Sequence, residues 1–102
     1  MKTSEVIAIV TGGASGLGEA TTRLLVAKGG KVAIFDLNDQ RGQALVEELG
    51  HDKVVYFQTN VTDAQQVEQN VAEVVEHFGK INMLVSCAGI ATPGKVVSQK
   101  GP

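Results

Sequence analysis

The sequence predicts an α/β fold built on a doubly wound parallel sheet. Three observations carry that expectation: four short β-branched runs alternate with longer stretches of helical period, glycines close the helical stretches, and a glycine-rich turn follows the first run. The expected order is β-α-β-α-β-α-β, and 102 residues make one small domain. With 43% hydrophobic and 20% charged residues, and 2 Pro against 12 Gly, the composition is that of a chain that folds around a core.

Each element has a local reason. Val6-Ile7-Ala8-Ile9-Val10 is continuously apolar, as a strand covered on both faces must be, and runs straight into Thr11-Gly12-Gly13. Leu17, Ala20, Leu24 and Ala27 then recur at helical spacing and predict the apolar stripe of a helix stopped by Gly29-Gly30. Lys31 to Phe35 forms a second buried strand ending at Asp36, after which Asn38 can cap a helix running through Leu45 and Leu49 to Gly50. Val54-Val55-Tyr56-Phe57 is the third strand. Thr62-Asp63-Ala64-Gln65 has the form of a capping box, and Val67, Val71, Val74 and Phe78 lay a stripe along the helix that Gly79 ends. Ile81, Met83, Leu84 and Val85 make the fourth strand, and Ser86-Cys87-Ala88-Gly89 turns the chain away. Past Ala91 the periodicity is lost. Residues 1–90 are expected to form one half-domain and 91–102 a loop.

The charge balance narrows the function classes. A net charge of −2, with no Lys/Arg run, provides no footprint for nucleic acid or an anionic membrane. The apolar run at residues 6–10 is too short for a signal-peptide core or a membrane span, and the first arginine is Arg23, unlike an Arg-rich presequence. An intracellular protein is expected. The single cysteine, Cys87, excludes an internal disulfide and a multi-cysteine zinc site. His51 and His77 have no ligand-spaced partner and read as solvated, so no metal site is expected.

The chemistry-bearing residues gather at the carboxyl ends of the strands. Thr11-Gly12-Gly13-Ala14-Ser15-Gly16-Leu17-Gly18 lies between the first strand and first helix, where backbone N–H groups and a helix N-terminus can meet a phosphate. Gly12 suits the tight turn, Gly16 leaves space for a pyrophosphate, and Gly18 lets the helix lie close on the sheet. Asp36 ends the second strand about 20 residues on, where a carboxylate accepts hydrogen bonds from an adenosine ribose and repels a 2′-phosphate. No Arg or Lys stands at 14, 15, 37 or 38, although Arg41 lies one turn into the next helix. Asn60 and Val61 face the same crevice and suit an adenine ring. Cys87, Ala88 and Gly89 are small enough for a cofactor to approach their backbone, and Cys87 reads as a lining residue. The ligand these residues point to is NAD, in a Rossmann-type half-fold of strand order 3-2-1-4.

With these motifs assembled, the chain resembles the N-terminal part of a short-chain dehydrogenase/reductase. The resemblance rests on the T-G-x-x-x-G-x-G turn at residues 11–18, the acidic end of the second strand at Asp36, and the Ser86-Cys87-Ala88-Gly89 turn. Together with Val85 to Ala91, the glycine turn is most similar to the type 2 3-hydroxyacyl-CoA dehydrogenases, which also act on hydroxysteroids. The resemblance implies that Ser15 and Leu17 contact the pyrophosphate region, Asp36 the ribose, Asn60 and Val61 the adenine, and Cys87 to Gly89 the ribose on the nicotinamide side. It also implies hydride transfer between NAD and a 3-hydroxyacyl-CoA or related secondary alcohol, a small-molecule substrate, a homo-oligomer (tetramer) at full length, and a cytoplasmic or mitochondrial matrix setting. Two positions depart from the family pattern: Asn60 stands where Asp is usual, and Ser86 where Asn is usual.

The family's catalytic Ser, Tyr-x-x-x-Lys and supporting Asn lie past the fourth strand. The one tyrosine here, Tyr56, sits in a strand, so no catalytic residue is expected among the 102 and those groups belong to a missing C-terminal half. Two other readings stay open: a stand-alone, non-catalytic dinucleotide-binding or interaction module, and a different Rossmann-type domain such as a methyltransferase.

Overall fold

The computed structural model describes residues 2–14 and 16–87. After a short 3₁₀ turn at Thr3–Glu5, four strands and three helices alternate: β1 (Ile7–Thr11), α1 (Gly16–Ala27), β2 (Lys31–Asp36), α2 (Asp39–Leu49), β3 (Val54–Gln58), α3 (Ala64–Phe78) and β4 (Met83–Ser86). The strands form one parallel sheet in the order β3-β2-β1-β4, as the sequence predicts. Ala8 pairs with Val32 on one side and Met83 on the other, and Ile34 pairs with Tyr56. Ser15, Ala88, Gly89 and the expected loop at 91–102 lie outside the described residues.

Alternation along the central strands divides the core in two. Ala8, Val10, Val32, Ile34 and Val54 pack with Leu45 and Val46 of α2 and with Leu25 and Val26 of α1. Ile9, Ala33 and Phe35 face the other way, onto Val67, Val71, Val74 and Phe78 of α3, the stripe the sequence predicts. Phe35 and Phe57 meet edge to face there, with centroids 6.1 Å apart.

Helix α1 presents a different face from the one its leucines predict. Leu17 and Leu24 are 75% and 56% exposed, while Gly18 and Thr22 are buried. A Cβ on Gly18 would stand 1.8 Å from the Gly12 carbonyl oxygen. The helix can therefore reach the glycine turn only through the face that carries no side chain at position 18, and this rotation sends Leu17 and Leu24 outward.

The cap of α3 also falls one residue later than the Thr62 box predicts. Asp63 is the N-cap and its carboxylate accepts from the Gln66 N–H at 3.2 Å. The Thr62 hydroxyl is engaged elsewhere, donating to Asn60 Oδ1 at 2.6 Å. Asn38 caps α2 as expected, accepting from the Arg41 N–H at 3.0 Å. Ile81, placed in the fourth strand by its sequence, instead precedes β4 and packs on the α3 side.

One close approach was not visible in the periodicity. Gly42 of α2 lies flat against Tyr56, so that a Cβ there would meet the ring at 2.2 Å. The ring cannot swing aside cheaply, because its hydroxyl lies 2.7 Å from Asp39 Oδ1 and 3.0 Å from the Asp36 carbonyl oxygen. Burial, helped by Asp39, pushes the phenol far above its usual range. Gly42→Ala is expected to lower stability by about 1–3 kcal/mol in denaturant unfolding, the cost of overpacking a fixed ring. A loss below about 0.5 kcal/mol, within the range of ordinary surface substitutions, would show that the ring yields freely.

Candidate functional site

The glycine turn is tied down from two directions. The Gly12 N–H donates to the Phe35 carbonyl at 2.7 Å and the Ala14 N–H donates to Asp36 Oδ2 at 3.1 Å, fastening the turn to the end of β2. From α1, the buried Thr22 hydroxyl donates to the Gly13 carbonyl at 3.3 Å. Gly12 sits at φ 72, the left-handed region that a residue with Cβ enters at a cost. Gly16, Leu17 and Gly18 form the opening turn of α1, directly after this fastened segment.

Across from the turn lies a cleft of about 320 Å³. Gly12, Asp36 and Leu37 line one side, Thr59 to Thr62 line the other, and Phe35 lies between. Four sequence-predicted residues, Gly12, Asp36, Asn60 and Val61, are thus brought together at the carboxyl ends of β1, β2 and β3. The Asp36 carboxylate has a second partner, the Asn38 N–H at 3.0 Å on Oδ1, so it serves the cap of α2 as well as the turn. A carboxylate has roughly four acceptor sites. Two backbone donors therefore leave capacity for ligand hydroxyls.

The far wall is an Asx turn. Asn60 Oδ1 accepts from both the Thr62 N–H at 3.0 Å and the Thr62 hydroxyl, and the Gln66 side chain accepts from the Asn60 N–H. Behind it the buried Thr59 hydroxyl donates to the Phe57 carbonyl at 2.8 Å and accepts from Asn70 Nδ2 at 2.8 Å. Sequence reasoning missed Thr59, Phe35 and Asn70 here. The available signal was Asn70, the one asparagine of α3, beside its valine stripe.

Cys87 is half-buried beside β1, its N–H directed at Thr11 O (3.0 Å) and Oγ1 (3.1 Å), the residue just before the turn. The Thr11 hydroxyl also lies 3.4 Å from Ser86 Oγ, so the serine at this position does meet the neighbouring strand. A second, apolar groove of about 400 Å³ opens on the α3 side and shares Phe35 and Val61 with the cleft; Leu84, at its edge, is 68% exposed. His51 and His77 are exposed, as expected, and no group of metal-ligating side chains occurs among the described residues. Among the same residues, no helix is long and apolar enough to cross a membrane.

Two helices flanking the cleft are joined by an alternating charge chain that the sequence did not reveal. Arg41 donates to Glu19 Oε1 at 2.6 Å, Arg23 Nε donates to Glu19 Oε2 at 2.9 Å, and Arg23 forks onto both oxygens of Glu48. Hydrogen bonds from Arg41 and then Arg23 hold the Glu19 carboxyl below its ordinary range, and Arg23 does the same for Glu48. Acids with depressed folded-state pKa contribute stability near neutrality, and the contribution is lost as pH falls through those values.

Comparison with known proteins agrees with this geometry. The family model for the short chain dehydrogenases matches residues 6–100. Short-chain dehydrogenase reductase 4 of Arabidopsis thaliana is 45% identical over 84 residues, covering 82% of this chain and 28% of that one. The 3-hydroxyacyl-CoA dehydrogenase type-2 of Drosophila melanogaster is 40% identical over 89 residues, covering 87% and 34%. The crystal structure of a short chain dehydrogenase from Bacillus anthracis has the same fold, with a TM-score of 0.80 at 22% identity over 86% of this chain and 36% of that one. The chain spans about a third of the length of the curated relatives it matches.

Proposed function

The chain belongs to the short chain dehydrogenase family, and from that premise we propose that it binds NAD as the cofactor portion of an oxidoreductase acting on a secondary alcohol or ketone. The observation that carries the reading is the cleft itself, which places a carboxylate, a fastened glycine turn and an apolar wall around one space. The residues fit such a ligand. Gly16 to Gly18 set the α1 N-terminus toward a pyrophosphate, where backbone N–H groups and the helix dipole favour negative charge. Asp36 accepts from the adenosine ribose, Val61 offers its apolar surface to the adenine, and Asn60 shapes the turn that carries Val61. Cys87, tied to Thr11, supports the backbone toward the nicotinamide-side ribose. The bound dinucleotide would supply the hydride donor or acceptor.

Asp36 also supports NAD over NADP, because its charge opposes a 2′-phosphate. A 3-hydroxyacyl-CoA is the substrate class favoured by the similarity to the Drosophila enzyme of that name, and a homo-oligomer is the assembly favoured for the full-length protein. The test is a fluorescence titration. NADH is expected to bind saturably and more tightly than NADPH, and S-adenosylmethionine is expected not to displace it. Displacement by S-adenosylmethionine would overturn the reading in favour of a methyltransferase-type site.

A further inference from the structure

We infer that Glu19 is a positioning residue for cofactor choice, holding the Arg41 guanidinium against α1 and away from the place a 2′-phosphate would occupy; the inference rests on the dinucleotide reading above. Three segments frame the cleft and its flanks: residues 12–19, 36–42 and 59–62. Arg41 is the one Lys or Arg in all three. It is also linked to the carboxylate that would face the ribose: the Arg41 N–H bonds Asn38 Oδ1, and the Asn38 N–H bonds Asp36 Oδ1. The cation therefore starts one helical turn from Asp36, within the span of an arginine side chain.

Its guanidinium is directed elsewhere. It donates to Glu19 Oε1 at 2.6 Å, on the first turn of the helix that follows the glycine turn. Glu19 is itself held in place, since its other oxygen takes Arg23 Nε at 2.9 Å and Arg23 is forked onto Glu48. A carboxylate fixed at both oxygens gives Arg41 a single preferred partner and cancels its charge. A 2′-phosphate must then compete with Glu19 for Arg41 while also facing Asp36. The pair is partly exposed, with side chains 44% and 22% accessible, so the competition is worth a modest factor and depends on salt.

The test measures NADH and NADPH dissociation constants on the full-length protein for the unaltered chain, Glu19→Gln, Glu19→Asp and Glu19→Gln/Arg41→Gln, at low and high salt. Glu19→Gln keeps the size of the side chain and removes its charge. It is expected to shift the affinity ratio toward NADPH by roughly threefold or more, the scale of an exposed ion pair. Glu19→Asp is expected to shift it less in the same direction, and the gain should shrink at high salt and vanish in the double variant. An unchanged ratio in Glu19→Gln with NADH still bound would overturn the inference. So would a gain that persists without Arg41, since removal of a negative charge alone would then account for it. Failure of the unaltered chain to bind either dinucleotide would remove the dinucleotide reading first, and this inference with it.

Discussion

Gly18→Ala is expected to destabilise the protein by roughly 2 kcal/mol or more and to weaken dinucleotide binding by about tenfold, a larger effect than any other single methyl addition in the site. The added Cβ would stand 1.8 Å from Gly12 O, 2.5 Å from Gly12 C and 2.9 Å from Gly13 Cα. All three are backbone atoms of a turn that is itself bonded to Phe35, Asp36 and Thr22, so no flexible side chain can give way. Relief requires α1 to lift from the sheet, which moves the N-terminus that is proposed to face the pyrophosphate. Gly16→Ala is the informative control. Gly16 has φ +57 but open space around its Cβ position, so the cost there is limited to about 1–2 kcal/mol of left-handed strain. Denaturant unfolding and NADH titration of both variants check the order. A Gly18→Ala protein within about 0.5 kcal/mol of the parent, the range of ordinary surface changes, would contradict the close-contact account.

Asp36→Ala is expected to weaken NADH binding by about tenfold and to narrow the preference over NADPH, since one substitution removes both the acceptor for the ribose and the charge that opposes a 2′-phosphate. The structure adds a second consequence. Ala14 and Asn38 would each lose a hydrogen-bond acceptor, one on the glycine turn and one at the cap of α2. A stability loss of about 1–3 kcal/mol should accompany the binding defect. Asp36→Asn separates the two roles, because the amide keeps an acceptor oxygen but carries no charge. It is expected to narrow the cofactor preference as Asp36→Ala does while losing less stability. An unchanged NADH to NADPH ratio in both variants would refute the selectivity role and leave Asp36 as a strut alone.

These two residues also show what the sequence discloses and what it hides. Three of the four strands were legible because Val6 to Val10, Lys31 to Phe35 and Val54 to Phe57 are short apolar, largely β-branched runs that the sheet covers in whole or in part, and their order is that of a doubly wound half-fold. Gly12, Asp36, Asn60 and Val61 were legible as a group because each ends a strand or follows one, and parallel strands bring those ends together. The buried face of α1 was misleading for a related reason. Hydrophobic periodicity follows the largest apolar side chains, Leu17 and Leu24, whereas the contact that orients the helix is made by Gly18, which has none.

The Thr62-Asp63-Ala64-Gln65 pattern placed the cap of α3 one residue too early, because Thr62 is drawn to Asn60 and Asp63 accepts from the Gln66 N–H instead. Long-range side-chain pairs left no local trace. Glu19 with Arg41 and Gly42 with Tyr56 are separated by 22 and 14 positions, and neither spacing belongs to any helix or strand period.

The most direct test of the dinucleotide site is amide hydrogen exchange of the full-length protein with and without saturating NADH. Protection is expected in the segments at 11–18, 36–41 and 59–63, which frame the cleft, and little change along α3 at 65–78. Protection confined to the α3 side, around the apolar groove of Val67, Val71, Ile81 and Leu84, would contradict the proposed site.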